Sequence, residues 1–434
     1  MIKPEIRLDE MKREEVVEHL KQTVRPEEGV IPAFLLGDPT VYKLEHEKVF
    51  MKTWVFLGHE SEVPNNGDYL TRDLAGYSVI IARANDGVLR SFYNMCTHRG
   101  MKLCRADKGN KSQFTCPYHG FNFKNTGELI GVPLQKNIYG GQLDFDKLAL
   151  HEVTIDTYKG LIFGTWNDNP EPLKEFLGDF TWYLDMVVGR AEMEVLGPPQ
   201  KFVVHSHWKI GADNFVSDSY HTMVTHGSIV QLGMVPNATY SKKGYQVHTK
   251  NGHGGNIGMP NPDFAFLEEL IPEYKKNLSP EQFDVMSNVK NIIGTIFPNL
   301  SCLVSHTSVK GQLISNTTLR LWKPIAHDKM EVITWFLVEK DAPEEWKKRS
   351  RESYILTFSP SGIFEQDDTE VFTDITATAT GVVPYAKNFN YNYTMGMHRT
   401  PVTDFPGPGV VYDDKFSEAG SRNYYRYWLD MMGR

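Results

Sequence analysis

Cys96-Thr97-His98 and Cys116-Pro117-Tyr118-His119 are the residues in this 434-residue chain best suited to chemistry. The two Cys-His pairs are separated by seventeen residues. They suit a [2Fe–2S] cluster in which two histidines replace two cysteines. Such a cluster passes single electrons at a higher potential than an all-cysteine cluster. Zinc uses the same residue types. The usual zinc finger, however, runs Cys-Cys then His-His, with about 12 residues between the pairs. Here the order is Cys-His then Cys-His, and the gap is longer. Gly100 and Gly120 close the two motifs, permitting sharp turns that aim backbone amides at sulfur. The pattern favours the cluster over zinc.

A second group lies in the segment from Asp213 to His226. His221 and His226 are five residues apart, which on an ideal helix separates them by about 140°. They can share a metal only if the helix is distorted or ends there. The spacing predicts a helix from Asn214 to His226, stopped by Gly227. Asp218, three residues before His221, would share its face. A carboxylate beside a ligating histidine fixes the ring tautomer and raises its basicity. Two histidines and one carboxylate leave positions open for O₂ on Fe(II). The carboxylate is expected from Phe364-Glu365-Gln366-Asp367-Asp368. A His-x4-His pair alone is weak evidence; beside a cluster it supplies an acceptor for the electron.

The elements that must position these residues read as two parts. Residues 53–172 read as short strands and turns, a small β domain. Tyr77 to Arg83 and Val88 to Asn94 flank Asn85-Asp86-Gly87, a hairpin signal. Residues 1–52 and 173–434 read as an α+β domain with an antiparallel sheet. Its expected helices are Asp9 to Thr23, with Val16, Val17 and Leu20 inward, Leu173 to Tyr183, and Pro343 to Phe358. Its expected strands are Lys201 to Ile210, Leu300 to Lys310, Thr317 to Lys323 and Met330 to Lys340. Asn251 to Pro262, rich in Gly and Asn, reads as a loop.

Composition narrows the class. Hydrophobic residues at 41% and aromatics at 12% describe a folded chain with a large interior. A net charge of −8 argues against nucleic acid as a partner. No apolar run approaches the roughly 18 residues that span a membrane, and the charged N-terminus lacks a signal core. The cysteines are Cys96, Cys104, Cys116 and Cys302. A cytoplasmic enzyme without a disulfide framework is expected.

Together these motifs resemble the large (alpha) subunit of the Rieske non-haem iron aromatic-ring-hydroxylating dioxygenases, of the naphthalene and biphenyl dioxygenase kind. The resemblance covers nearly the whole chain. It implies that Cys96 and Cys116 hold one iron of a [2Fe–2S] cluster, and His98 and His119 the other. It implies His221, His226 and Asp368 as ligands of a mononuclear Fe(II), and Asp218 as a bridging acid. It further implies an α3 or α3β3 assembly with a small β subunit, fed by a ferredoxin and an NADH-dependent reductase. The electron would pass from His119 through Asp218 of the next chain to His221. The activity implied is addition of both atoms of O₂ to an aromatic ring, giving a cis-dihydrodiol. Positions matching the family's substrate pocket are Asn214, Phe215, Thr222, Asn291, Ile293, Leu303, Phe358 and Phe364. They are mostly apolar and include no Arg or Lys, which suits a neutral arene. An aryl acid would need a cation, for which Lys250 and His253 are candidates. A monooxygenase or demethylase would share both metal sites. The chain departs from the family's usual residues at Phe121 (commonly Trp), Asp213 (commonly Glu) and His207 (commonly Asn).

Overall fold

The computed structural model describes residues 8–232, 243–258, 266–309 and 311–434. They form two compact units, one of residues 50–173 and one of residues 1–49 with 174–434. The smaller is all β in its core. Val55–His59, Leu161–Thr165 and Thr154–Tyr158 make one antiparallel sheet. Lys108–Asn110, Asp68–Leu74, Tyr77–Arg83 and Leu89–Tyr93 make a second, and Gln113–Thr115, Asn122–Lys124 and Leu129–Gly131 a third. The expected hairpin is present, with Arg83 paired to Leu89 across the Asn85-Asp86-Gly87 turn. Each Cys-His motif follows a strand end, so its loop starts from a rigid edge.

The larger unit is α+β, as expected. Among its described residues a nine-stranded antiparallel sheet is centred on Leu300–Val309, Gln312–Ala326 and Lys329–Glu339. Sequential hairpins explain why these three neighbour one another. The helices Arg13–Thr23, Glu344–Thr357, Ile363–Ala379 and Ala419–Gly433 belong to this unit. Val16 and Leu20 of the first are buried and Val17 half-buried, as an amphipathic stripe requires.

Several local expectations are corrected. The strand beginning near Lys201 is Gln200–Val204 only, and a helix starts at Trp208. His207 ends the strand by capping that helix: its Nδ1 accepts from the Lys209 amide at 3.1 Å. The helix is Trp208–Ser217 and does not run to His226; Asp218 caps it, and His221–Met223 is a single 3-10 turn. Asn251 to Pro262 is not all loop. Gly254–Gly258 is a sheet strand, paired on one side with Gly244–His248 and on the other with Asn291–Ile296. Its glycines answer to space: a Cβ on Gly255 would lie 2.2 Å from the Ile293 carbonyl oxygen. Residues 259–262 lie outside the described residues.

The Trp208–Ser217 helix is anchored by a fully buried carboxylate. Glu45 accepts from Trp208 Nε1 and Trp428 Nε1, each at 2.9 Å, and from the buried Lys209 ammonium. Its loss would leave Lys209 unpaired in a dry interior. Glu45→Ala is expected to destabilise the protein by about 3–5 kcal/mol, the usual result of breaking a buried pair from one side. Urea unfolding measures this, and an unchanged midpoint would refute the anchoring role.

Candidate metal and electron-transfer sites

In the smaller unit the two motif loops have the same backbone design. The Cys96 amide donates to Met101 O at 2.8 Å and the Gly100 amide to Cys96 O at 2.9 Å. The Cys116 amide donates to Phe121 O at 2.8 Å and the Gly120 amide to Cys116 O at 3.0 Å. Gly100 and Gly120 have φ of +74° and +72°, the left-handed conformation expected of both. The loops bring Cys96 and Cys116 into contact within a buried apolar cluster. The His98 and His119 rings lie 4.6 Å apart. Burial raises the Cys96 thiol's pKa, while the His98 and Arg99 amides bonded to its sulfur oppose that rise.

These four side chains fit an iron–sulfur cluster. His98 Nδ1 is buried without a hydrogen-bond partner among the described residues, which suits an atom that ligates. Phe121, the departure after the second motif, stacks on His98 at 4.5 Å with the planes 2° apart. Asn94 was not foreseen. Its side-chain oxygen accepts from the Leu103 and Cys104 amides, each at 3.0 Å, and its amide donates to Cys104 O at 2.7 Å. A polar residue ending an apolar strand just before Cys96 was the available signal. Cys104 is buried beside this loop and Cys302 in the large sheet, both as unpaired thiols.

In the larger unit, leaving the helix at Asp218 is what brings His221 and His226 together. Their Nε2 atoms are 3.2 Å apart. Asp368 Oδ1 lies 3.4 Å from the first and 3.3 Å from the second. These three atoms form a near-equilateral triangle, and Asp368 Oδ1 is buried with no well-formed hydrogen bond among the described residues. The arrangement fits a 2-His-1-carboxylate metal site. Burial disfavours charge here, yet the acids outweigh it. The Asp218 and Asp368 carboxylates beside the ring raise the His221 pKa to about 10. Burial likewise opposes the Asp368 carboxylate, but His226 and His221 hold its pKa well below the usual range. The site favours added positive charge.

The far nitrogens of both rings are also held. His221 Nδ1 contacts Asp218 O and lies 3.5 Å from Asp218 Oδ2; Asn214 Nδ2 is 3.3 Å away. His226 Nδ1 lies 3.2 Å from Asp367 Oδ2. The contact of Asp367 is not visible in the sequence: adjacent helical positions point in different directions, which hides the pairing of Asp367 and Asp368 with one histidine. The Asp218 side chain is 46% exposed, so its outer side is free to meet another group.

The two sides of the triangle differ. On the His221 side lies a cavity of about 440 Å³ lined by Asn214, Asp213, Asp218, Tyr393, Glu418 and Asp368, among others. On the His226 side the walls are aromatic. Phe364 lies 4.8 Å from the His226 ring and stacks on Phe358 at 4.7 Å. Phe358 and Phe215 cover Arg320 at 5.0 and 5.1 Å. The charge of Arg320 is matched by Glu365, at 3.0 Å from Nε and 2.8 Å from Nη2. Glu365 is one helical turn before Asp368, so this buried pair also fixes the helix that presents Asp368.

Of the eight pocket positions, only Asn214 lines the cavity beside His221. Phe364, Phe358 and Phe215 form the aromatic side. Thr222 bonds Ser219 O at 2.8 Å. Asn291, Ile293 and Leu303 share one sheet face, because Ile293 pairs with Leu303 and alternate residues point the same way. Thr295 on that face donates to Ala212 O at 2.8 Å, so the face carries the helix preceding the His221–His226–Asp368 triangle. His253 does not supply a positive charge. Burial lowers its pKa to about 4, and its two nitrogens bond Phe176 O and the Phe297 amide. Lys250 is exposed.

Known proteins share this organisation. Residues 53–157 match the Rieske [2Fe-2S] domain family, and residues 181–434 match the catalytic domain of the ring hydroxylating alpha subunits. The chain is 33% identical to the biphenyl dioxygenase subunit alpha of Paraburkholderia xenovorans (strain LB400), covering 96% of this chain and 93% of that one. It is 32% identical to the N,N-dimethyl phenylurea N-demethylase subunit alpha of Sphingobium sp. (strain YBL2), covering 94% and 92%. The crystal structure of naphthalene 1,2-dioxygenase from Rhodococcus sp. bound to indole superposes with a TM-score of 0.92 at 40% identity, covering 100% of this chain and 99% of that one.

Proposed function

The chain belongs to the alpha subunits of the Rieske ring-hydroxylating oxygenases, and from that premise we propose that it adds both atoms of O₂ to a neutral aromatic substrate, giving a cis-dihydrodiol. The observation that carries this reading is the His221–His226–Asp368 triangle with an aromatic wall on one side. We assign Cys96, Cys116, His98 and His119 to the Rieske cluster, and the triangle to one Fe(II). When bound, the cluster supplies electrons singly and the iron supplies O₂ activation.

The chain's own residues do the rest. Asp367 and Asp218 hold the His226 and His221 rings by their far nitrogens, so that both Nε2 atoms face Asp368. Phe364 and Phe358 exclude water from one side and offer a flat apolar surface to an arene. A neutral substrate is favoured because Arg320 behind that wall is already paired with Glu365 and His253 is kept neutral. The half-exposed Asp218 carboxylate supports an electron path from His119 of a neighbouring subunit in an α3 or α3β3 assembly. Electrons would reach that assembly from NADH through a reductase, with or without a ferredoxin.

The demethylase relative makes monooxygenation the second reading. Turnover under ¹⁸O₂ with mono- to tricyclic arenes, aryl acids and N-methyl aryl compounds separates the two. Two labelled oxygens in one cis-diol are expected. A single label, or formaldehyde from the N-methyl compounds alone, would overturn dioxygenation in favour of demethylation.

A further inference from the structure

Either oxygenase reaction consumes protons. Substrate, O₂, two electrons and two protons give a diol, or a monooxygenated product and water. The electrons come from the reduced electron-transfer protein, and the protons must reach a buried site. The His221-side cavity offers the route. It is lined by the exposed Tyr220 and Val371, by the buried Asp213, Ser421 and Asp368, and by His221. The cavity, of about 440 Å³, has a mostly apolar lining, and its polar groups, Asp213, Asp218, Asp368, Glu418 and Ser421, are the ones that can hold water.

Asp213 is the buried acid of that cavity. Its carboxylate accepts from Tyr393 at 2.5 Å, from Tyr425 at 3.3 Å, and from Ser421. Ser421 in turn contacts Ser217 Oγ at 2.7 Å. The groups acting on Asp213 are the Ser421 and Tyr393 hydroxyls and the acids Asp218 and Glu418. Arg422, on the same helix as Ser421 and Tyr425, is directed to the Tyr393 and Met395 carbonyls. Burial above all raises the Asp213 pKa, the Ser421 and Tyr393 hydrogen bonds lower it, and the acids raise it, leaving it at about 7. An acid so poised can both give and regain a proton near neutral pH.

We propose that Asp213 is a proton-relay residue serving the metal site through this cavity. In its protonated form the Asp213 carboxyl donates to one of these hydroxyls, Tyr393 or Ser421, which turns to release its own proton to cavity water toward the His221 face. The carboxylate left behind regains a proton from solvent at the cavity mouth. Asp213 acts through these groups and touches no reacting atom. The proposal rests on the oxygenase reading of the site.

The test joins a pH profile to infrared spectroscopy on the full chain. In the wild type, turnover is expected to fall as pH rises above about 7, where Asp213 loses its proton. Asp213→Asn keeps shape and hydrogen bonding but cannot titrate. It is expected to bind iron normally, to turn over about 100-fold more slowly, and to lack that descending limb. Asp213→Glu restores the limb. The carbonyl stretch of a protonated carboxyl, located by ¹³C-labelled aspartate, should titrate near pH 7 in wild type stripped of mononuclear iron and be absent in Asp213→Asn. If Asp213→Asn does not fold, Tyr393→Phe decides: a slowed rate with a larger solvent isotope effect supports the relay, and a wild-type rate overturns it. An unchanged profile in Asp213→Asn, or a carbonyl band that does not titrate while turnover is normal, overturns the relay alone. A wild-type protein that consumes no O₂ with any substrate overturns the oxygenase reading, and the relay falls with it.

Discussion

Asp368→Ala is expected to leave the protein without mononuclear iron and without product, while the cluster's visible and paramagnetic spectra stay as in wild type. Asp368 supplies the third corner of a triangle whose sides are 3.2–3.4 Å, and His221 and His226 alone offer two donors. The substitution also removes the negative charge that offsets cation binding in a buried pocket. The two sites lie in different units, each with its own core. Cluster content is therefore an internal control for folding. Iron analysis with spectroscopy of the reduced and oxidised protein checks this. Stoichiometric mononuclear iron in Asp368→Ala would remove Asp368 from the ligand set.

The second large effect is expected at Asp218. Asp218→Asn should keep both metal sites filled yet slow turnover by about 100-fold, the upper end for a residue that orients a metal ligand. Asp218 ligates nothing in the triangle, so iron content should hold. Its Oδ1 accepts from the His221 amide at 3.2 Å, which an asparagine oxygen can also do. What asparagine cannot supply is the negative charge beside His221 Nδ1, which the proposed bridging role requires. Rapid-mixing measurement of cluster oxidation by O₂ separates this from a substrate-binding defect. Full activity in iron-replete Asp218→Asn would end the bridging role.

The candidate side chains were legible because their chemistry is written in residue type and short spacing. Cys96, His98, Cys116 and His119 could be read as one site because each pair sits in one tight turn. The α+β character of the larger part followed from strand alternation and helix periodicity. The helix through His221 was not legible. Periodicity cannot show that the backbone leaves the helix after Ser217 so that two histidines about 140° apart on a helix can meet. The strand Gly254–Gly258 was missed for a related reason: glycine marks freedom in a sequence, whereas here it marks a close backbone approach.

By itself, then, the sequence determined the residue types, the two Cys-His turns and the division into a β part and an α+β part. These depend on local chemistry and on periods of two or about 3.6 residues. Only the tertiary structure decided which carboxylate faces which histidine nitrogen. It alone paired Asp367 with His226, matched Arg320 with Glu365 behind the aromatic wall, and placed Asp213 in the cavity beside His221. Those relations join segments as many as 212 residues apart, as between Asp213 and Tyr425. No local pattern encodes such a distance, because the energy that sets it is the burial of polar groups that must find partners once the core closes.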